Sequence, residues 1–192
     1  MLTPSSLLSH VLTCRLCQHK LPLEPRPILQ FNKQARILIA GQAPGRKAHE
    51  QGIPFADASG DRLRDWMGLN KTQFYDANNI AILPMGFCFL GTGKNGDLPP
   101  RPECAQTWHK RLLNELGHIE LRLVIGRYAM AYYLPDFNGS VSDTVKNGLR
   151  YWPDYLPLPH PSPRNQGWLR QNPWFEHEVL PLLRARVAEA LK

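Results

Sequence analysis

Four short apolar runs recur along the chain: Ala35–Ala40, Ile80–Leu83, Leu121–Ile125 and Tyr155–Leu158. They are near-continuously apolar rather than alternating, the pattern of strands covered on both faces. Between and around them, apolar positions recur at helical spacing over Ser5–Leu12, Asp61–Met67, Glu103–Leu116, Tyr128–Tyr133 and Glu176–Leu191. Strands alternating with helices predict an α/β fold, a parallel sheet with helices on both sides. No internal repeat, low-complexity tract or separating linker interrupts the pattern, so residues 1–192 read as one domain. Ligands of such sheets bind at the carboxyl ends of the strands. Three unusual loops fall there: Gln42-Ala43-Pro44-Gly45 after the first run, Pro84–Cys88 after the second, and His160-Pro161-Ser162-Pro163-Arg164-Asn165 after the last.

Composition narrows the class. The 192 residues are 43% hydrophobic, which excludes a disordered tail or a collagen-like rod. No apolar run approaches the roughly 18 residues of a membrane span. The N-terminal segment lacks a basic region and a long apolar stretch, so a secretory signal is not expected and a cytoplasmic location is. The net charge of +7 is uneven: residues 11–50 hold Arg15, Lys20, Arg26, Lys33, Arg36, Arg46 and Lys47 against Glu24 and Glu50. A basic stretch of this kind suits either a polyanion such as nucleic acid or a solvated surface.

Cys14 and Cys17 form a C-x2-C pair, and Cys88 and Cys104 follow at a spacing of C-x15-C. Structural disulfides do not fit a cytosolic chain. A two-residue gap lets two thiolates reach one metal centre, so an iron–sulfur cluster, a four-thiolate zinc site and free thiols all stay open on spacing alone. The loop between Cys88 and Cys104 is glycine-rich but holds no G-x4-G-K-[ST], because Lys94 is followed by Asn95; a phosphate-binding NTPase loop is thereby set aside. A loop that approaches a DNA backbone fits better, with Lys94 and Arg101 as its charges.

Taken together, these elements resemble the uracil-DNA glycosylase superfamily, most closely its family 4, the iron–sulfur type, from about Leu7 to the C-terminus. The spacing of the cysteines is similar to that of the family's cluster ligands. Gly41-Gln42-Ala43-Pro44-Gly45 resembles the motif G-E-A-P-G. Gly52-Ile53-Pro54-Phe55, followed by Ala58-Ser59-Gly60, resembles G-x-P-F-x-G-x-A-G. His160-Pro161-Ser162-Pro163 resembles the second catalytic motif, and Arg164-Asn165 its extension in the single-strand-selective class.

The resemblance implies a three-layer α/β/α sandwich around a four-stranded parallel sheet, and hydrolysis of the N-glycosidic bond of a base flipped out of DNA. It implies a 4Fe-4S cluster on Cys14, Cys17, Cys88 and Cys104, with zinc as the alternative. His160 would hydrogen-bond the departing base, and Gln42 would place water. Phe55 would stack on the base, with Gly41, Ala43, Pro44, Gly45 and Ser162 shaping its pocket. Arg46, Lys47, Lys94, Arg101, Pro163, Arg164 and Asn165 would meet DNA, single- or double-stranded. No membrane and no obligate protein partner are implied.

Two positions depart from the family pattern. Gln42 stands where family 4 carries a carboxylate, and an amide orients water without accepting its proton; Glu50, Asp57 and Asp61 are the nearby carboxylates. Pro84 stands where the family has a uracil-reading Asn, and proline offers no side-chain hydrogen bond. These departures make a nucleic-acid-binding member without catalysis, or a nucleoside or nucleotide hydrolase, the competing expectations.

Overall fold

A computed structural model describes residues 6–94 and 96–192, so Ser5 of the first expected helix lies outside the described residues. Four strands form one all-parallel sheet: β1 (Ile37–Ala40), β2 (Ile80–Ile82), β5 (Leu121–Ile125) and β6 (Tyr155–Leu158), in the order β2-β1-β5-β6. The register sets Ile37 beside both Ile80 and Leu121, and Leu123 beside Leu156. Between β2 and β5 lies a small antiparallel hairpin, β3 (Thr92–Gly93) and β4 (Gly96–Asp97).

The apolar runs of β1 and β2 are continuous because each of these strands feeds two cores. Ile37, Ile39, Ile80 and Ile82 pack on one face with Leu63, Trp66 and Leu183, from the helices Ala58–Met67 and Leu180–Ala190. Leu38, Ala81 and Leu83 point to the other face and meet Leu7, Val11, Trp108 and Leu112, from the helices Ser6–Leu12 and Pro102–Glu115. The period of two along β1 and β2 therefore splits their side chains between layers, and the result is the α/β/α sandwich. At one sheet edge Gln30 bridges Ile82, and its Nε2 donates to the carbonyls of Phe74 and Ile80, which closes an otherwise open strand edge.

The expected C-terminal helix over Glu176–Leu191 is divided into a π-helical turn, Phe175–Val179, and the α-helix Leu180–Ala190. Pro181 explains the break, since it has no N–H to give the preceding turn. Among the described residues, no helix is long and apolar enough to cross a membrane.

Candidate active site

The three suspect loops meet. A cleft of about 500 Å³ opens at the carboxyl ends of β1, β2 and β6, lined by Gly41–Gly45, Pro54, Phe55, Pro84, His160 and Ser162–Asn165. Lys47, Asp57, Gly96 and Asp97 complete its walls.

Phe55 holds a strained backbone, the one described non-glycine residue with positive φ, at 54°. Three contacts impose it. The Tyr75 hydroxyl donates to the carbonyls of Pro54 at 3.0 Å and Phe55 at 3.2 Å. The Phe55 ring meets Phe74 edge-on at 6.2 Å. Gly60 comes so close that a Cβ there would lie 1.8 Å from the Phe55 carbonyl oxygen, which is why glycine is needed. The Asp57 side chain caps the helix that follows, accepting the Gly60 N–H at 3.0 Å.

His160 sits deep in the cleft. Burial lowers its pKa below the ordinary value, against the pull of the Asp57 and Asp97 carboxylates, so the ring is neutral at neutral pH. Its loop is held from within: Asn165 Nδ2 donates to the His160 carbonyl at 2.7 Å, and the Ser162 hydroxyl accepts the Arg164 N–H at 3.2 Å. Arg62 ties the loop to the helix Ala58–Met67 by donating to the Ser162 carbonyl and to Gln166 Oε1, both at 2.9 Å.

Gln42 reaches across the cleft mouth. Its Nε2 donates to the carbonyls of Asp97 at 3.1 Å and Leu98 at 2.8 Å, on the hairpin side. Two acceptors fix the amide's orientation, leaving Oε1 as its acceptor for water. Pro84 is held in turn by buried His109, whose Nε2 bonds the Pro84 carbonyl at 2.8 Å and so carries the proton. The His109 ring also stacks on Phe87 at 5.4 Å, with 8° between the planes.

The four cysteines gather around a second, small cavity walled by Leu16, Leu21, Pro27, Phe87, Leu90 and Trp108. Burial pushes the Cys88 thiol up to about 11 and the Cys104 thiol up to about 12, and raises Cys17 as well. The Phe87 N–H already donates to Cys104 Sγ at 3.4 Å, the kind of contact that supports a ligating sulfur. Among the described residues, no three His, Cys, Asp or Glu side chains lie close enough to hold one metal ion. Four thiols around one apolar cavity suit a cationic group that draws off their protons.

The model of the uracil DNA glycosylase superfamily matches residues 29–184 of this chain, from the segment before β1 into the last helix. The chain belongs to the uracil-DNA glycosylase superfamily. It is 27% identical over 132 residues to a type-4 uracil-DNA glycosylase of Archaeoglobus fulgidus, a match covering 66% of this chain and 61% of that protein. The chain thus spans about three fifths of the length of that curated relative. A solution NMR structure of a proposed uracil DNA glycosylase from Methanosarcina acetivorans is 16% identical, with 84% of this chain and 97% of that one covered at a TM-score of 0.47.

Within this superfamily member the basic residues are scattered. Lys47 lines the cleft, as does Arg164, which reaches towards the hairpin at Gly96. Arg46 pairs with Glu50 at 3.2 Å outside it, and Arg101 pairs with Glu103 at 2.8 Å beside the cysteines. Lys94 is exposed at the hairpin turn. Arg15, Lys20 and Arg36 are ion-paired to Glu24, Glu103 and Glu120. Two of these charges, Lys20 and Arg36, are answered by carboxylates distant in the chain, and Arg15 and Arg46 by Glu24 and Glu50 within the same basic segment.

Of the carboxylates named above, Asp57 lines the cleft. Asp61 is taken up by buried Arg64 at 2.5 Å, and Glu50 by Arg46. Sequence reasoning missed Asp97, Arg62 and His109. A polar residue within a glycine-rich loop was a weak pointer to Asp97; only tertiary contact distinguishes the other two.

Proposed function

We propose that this chain is a DNA base-excision glycosylase that hydrolyses the N-glycosidic bond of a flipped-out uracil or another deaminated base. One observation carries the reading: the first-motif loop, the strained Phe55 and the His160 loop converge on one cleft at the carboxyl ends of the sheet. In that cleft the base stacks on Phe55, and the neutral His160 ring hydrogen-bonds the negative charge that develops on the departing base. Gln42 Oε1 orients the water. Lys47 and Arg164 attract the phosphates, and Pro163 and Asn165 belong to the loop that enters the duplex. Pro84 offers no amide to the base, which favours a broader choice of base than uracil alone.

Cys14, Cys17, Cys88 and Cys104 would hold a 4Fe-4S cluster. That group would fasten the N-terminal segment, the loop after β2 and the helix Pro102–Glu115 at one point. A cytoplasmic location, where thiols stay reduced, fits this ligand set.

The test is an oligonucleotide panel carrying uracil, hypoxanthine, xanthine and mismatched thymine. Base release from at least one is expected, with His160→Ala slowing it about 10²–10³-fold. Salt-sensitive binding without release from any of them would instead establish a non-cleaving DNA-binding protein. Release from nucleosides alone would establish a small-molecule hydrolase.

A further inference from the structure

Gln42 cannot take a proton from water near neutral pH, so hydrolysis in this cleft needs another acceptor. Two carboxylates converge on the first-motif loop. A Cβ at Gly45 would lie 3.6 Å from Asp97 Oδ2 and 3.8 Å from Asp57 Oδ2. Asp57 is already committed: its Oδ1 accepts the Gly60 N–H, and its charge faces the positive end of the helix Ala58–Met67. Asp97 is held differently. Among the described residues its Oδ1 accepts a neutral hydroxyl, from Thr92 at 3.1 Å, and its backbone carbonyl is grasped by the Gln42 amide. The same two residues thus connect the water-orienting amide and a carboxylate oxygen across the cleft mouth.

We infer that Asp97, brought over the cleft by the β3–β4 hairpin and held there by Gln42, accepts the proton of the attacking water. This rests on the glycosylase reading. The C1′–N bond breaks and its electron pair leaves on the base. The water oxygen forms the new C1′–O bond, and its surplus proton passes to Asp97 Oδ2. The anionic base, held by His160, is then protonated from solvent, and Asp97 returns its proton to solvent. Gln42 orients the water and positions the carboxylate, so it acts without itself exchanging a proton.

The test measures single-turnover base release and affinity for an oligonucleotide with an uncleavable abasic analogue, in wild type, Asp97→Asn, Asp97→Glu and Asp57→Asn. Asp97→Asn keeps the shape and an oxygen for Thr92, and removes a negative charge that faces DNA. Its release rate should fall about 10²–10⁴-fold while its DNA affinity holds or rises. Asp97→Glu should recover part of the rate. A merely structural role would lower rate and affinity together, and that joint loss would overturn the proposal. So would an Asp97→Asn rate within about threefold of wild type, whether or not Asp57→Asn is slow. A wild-type chain that releases no base from any oligonucleotide overturns the glycosylase reading itself, and this proposal with it.

Discussion

Restoring the family's carboxylate by Gln42→Glu should weaken the protein rather than improve it. The side-chain nitrogen donates to two carbonyl oxygens, at 3.1 and 2.8 Å. The substitution sets a carboxylate oxygen against those same acceptors, in a cleft that already holds Asp57 and Asp97. Two net hydrogen bonds of about 0.5–1.5 kcal/mol each are lost. Partial access to water softens the remaining repulsion, so a cost of about 2 kcal/mol is expected. For a chain of this size that is a fall in Tm of about 4–8 °C. The sign of the pH dependence follows from the same contact. Repulsion raises the introduced carboxyl's folded-state pKa above its ordinary value of about 4.3, and the protonated form can donate to one of the two carbonyls. A raised pKa gives stability that is kept at low pH and lost as pH rises through the folded value. The deficit against wild type should therefore widen from pH 5 to pH 8. Thermal unfolding across that range, with base-release rates at pH 7.5, measures both effects. A variant as stable as wild type at pH 8, or one that releases base faster, would refute the reasoning.

Gly60→Ala should destabilise by about 3 kcal/mol or more, because its Cβ would meet the Phe55 carbonyl at 1.8 Å; urea melts and base release should fall together. His109 is buried and His160 half-buried, and desolvation lowers the pKa of both. The unfolded chain then binds protons that the folded chain refuses, so stability should drop as pH falls below about 6.5, by up to about 1.4 kcal/mol per unit for each ring. His109→Gln should flatten that slope in urea melts at pH 5–7. Anaerobically purified protein should show the broad visible absorption of an iron–sulfur cluster, and Cys104→Ser should bleach it and lower Tm; a colourless, zinc-containing protein would sink the cluster reading.

The sheet was legible because both its faces are covered, which leaves runs such as Ile37–Ala40 apolar at every position. All four expected strands are present, with ends shifted by two residues at most. The short helix Arg46–Gln51 was not legible, since its six residues bury Ala48 alone and leave no apolar period to read. The helix Val141–Lys146 is likewise short, burying Thr144 and Val145. The cleft was legible in outline, because Gly41–Gly45 and His160–Asn165 are fixed by prolines at sheet ends. Its second wall was not. The hairpin has strands of two residues each, and it is placed by the Gln42 amide, a tertiary contact without a local signature. Two ion pairs were illegible for a related reason: Lys20 answers Glu103 and Arg36 answers Glu120, pairs more than eighty residues apart.

The hairpin begins and ends at the cysteine cavity, since Cys88 and Cys104 bound the segment that carries it. It behaves as a tether pinned at both feet, whose second strand, at Gly96 and Asp97, forms a wall of the cleft. The closure entropy of such a tether grows only with the logarithm of its length, by about 0.6 kcal/mol for a doubling. Lengthening or shortening the segment between Cys88 and Gly96 by a residue would hardly change the stability of the sheet, but it would shift the wall that Gly96 and Asp97 form. The reach of that wall, and with it the size of base admitted, is thus adjustable independently of the fold that supports it.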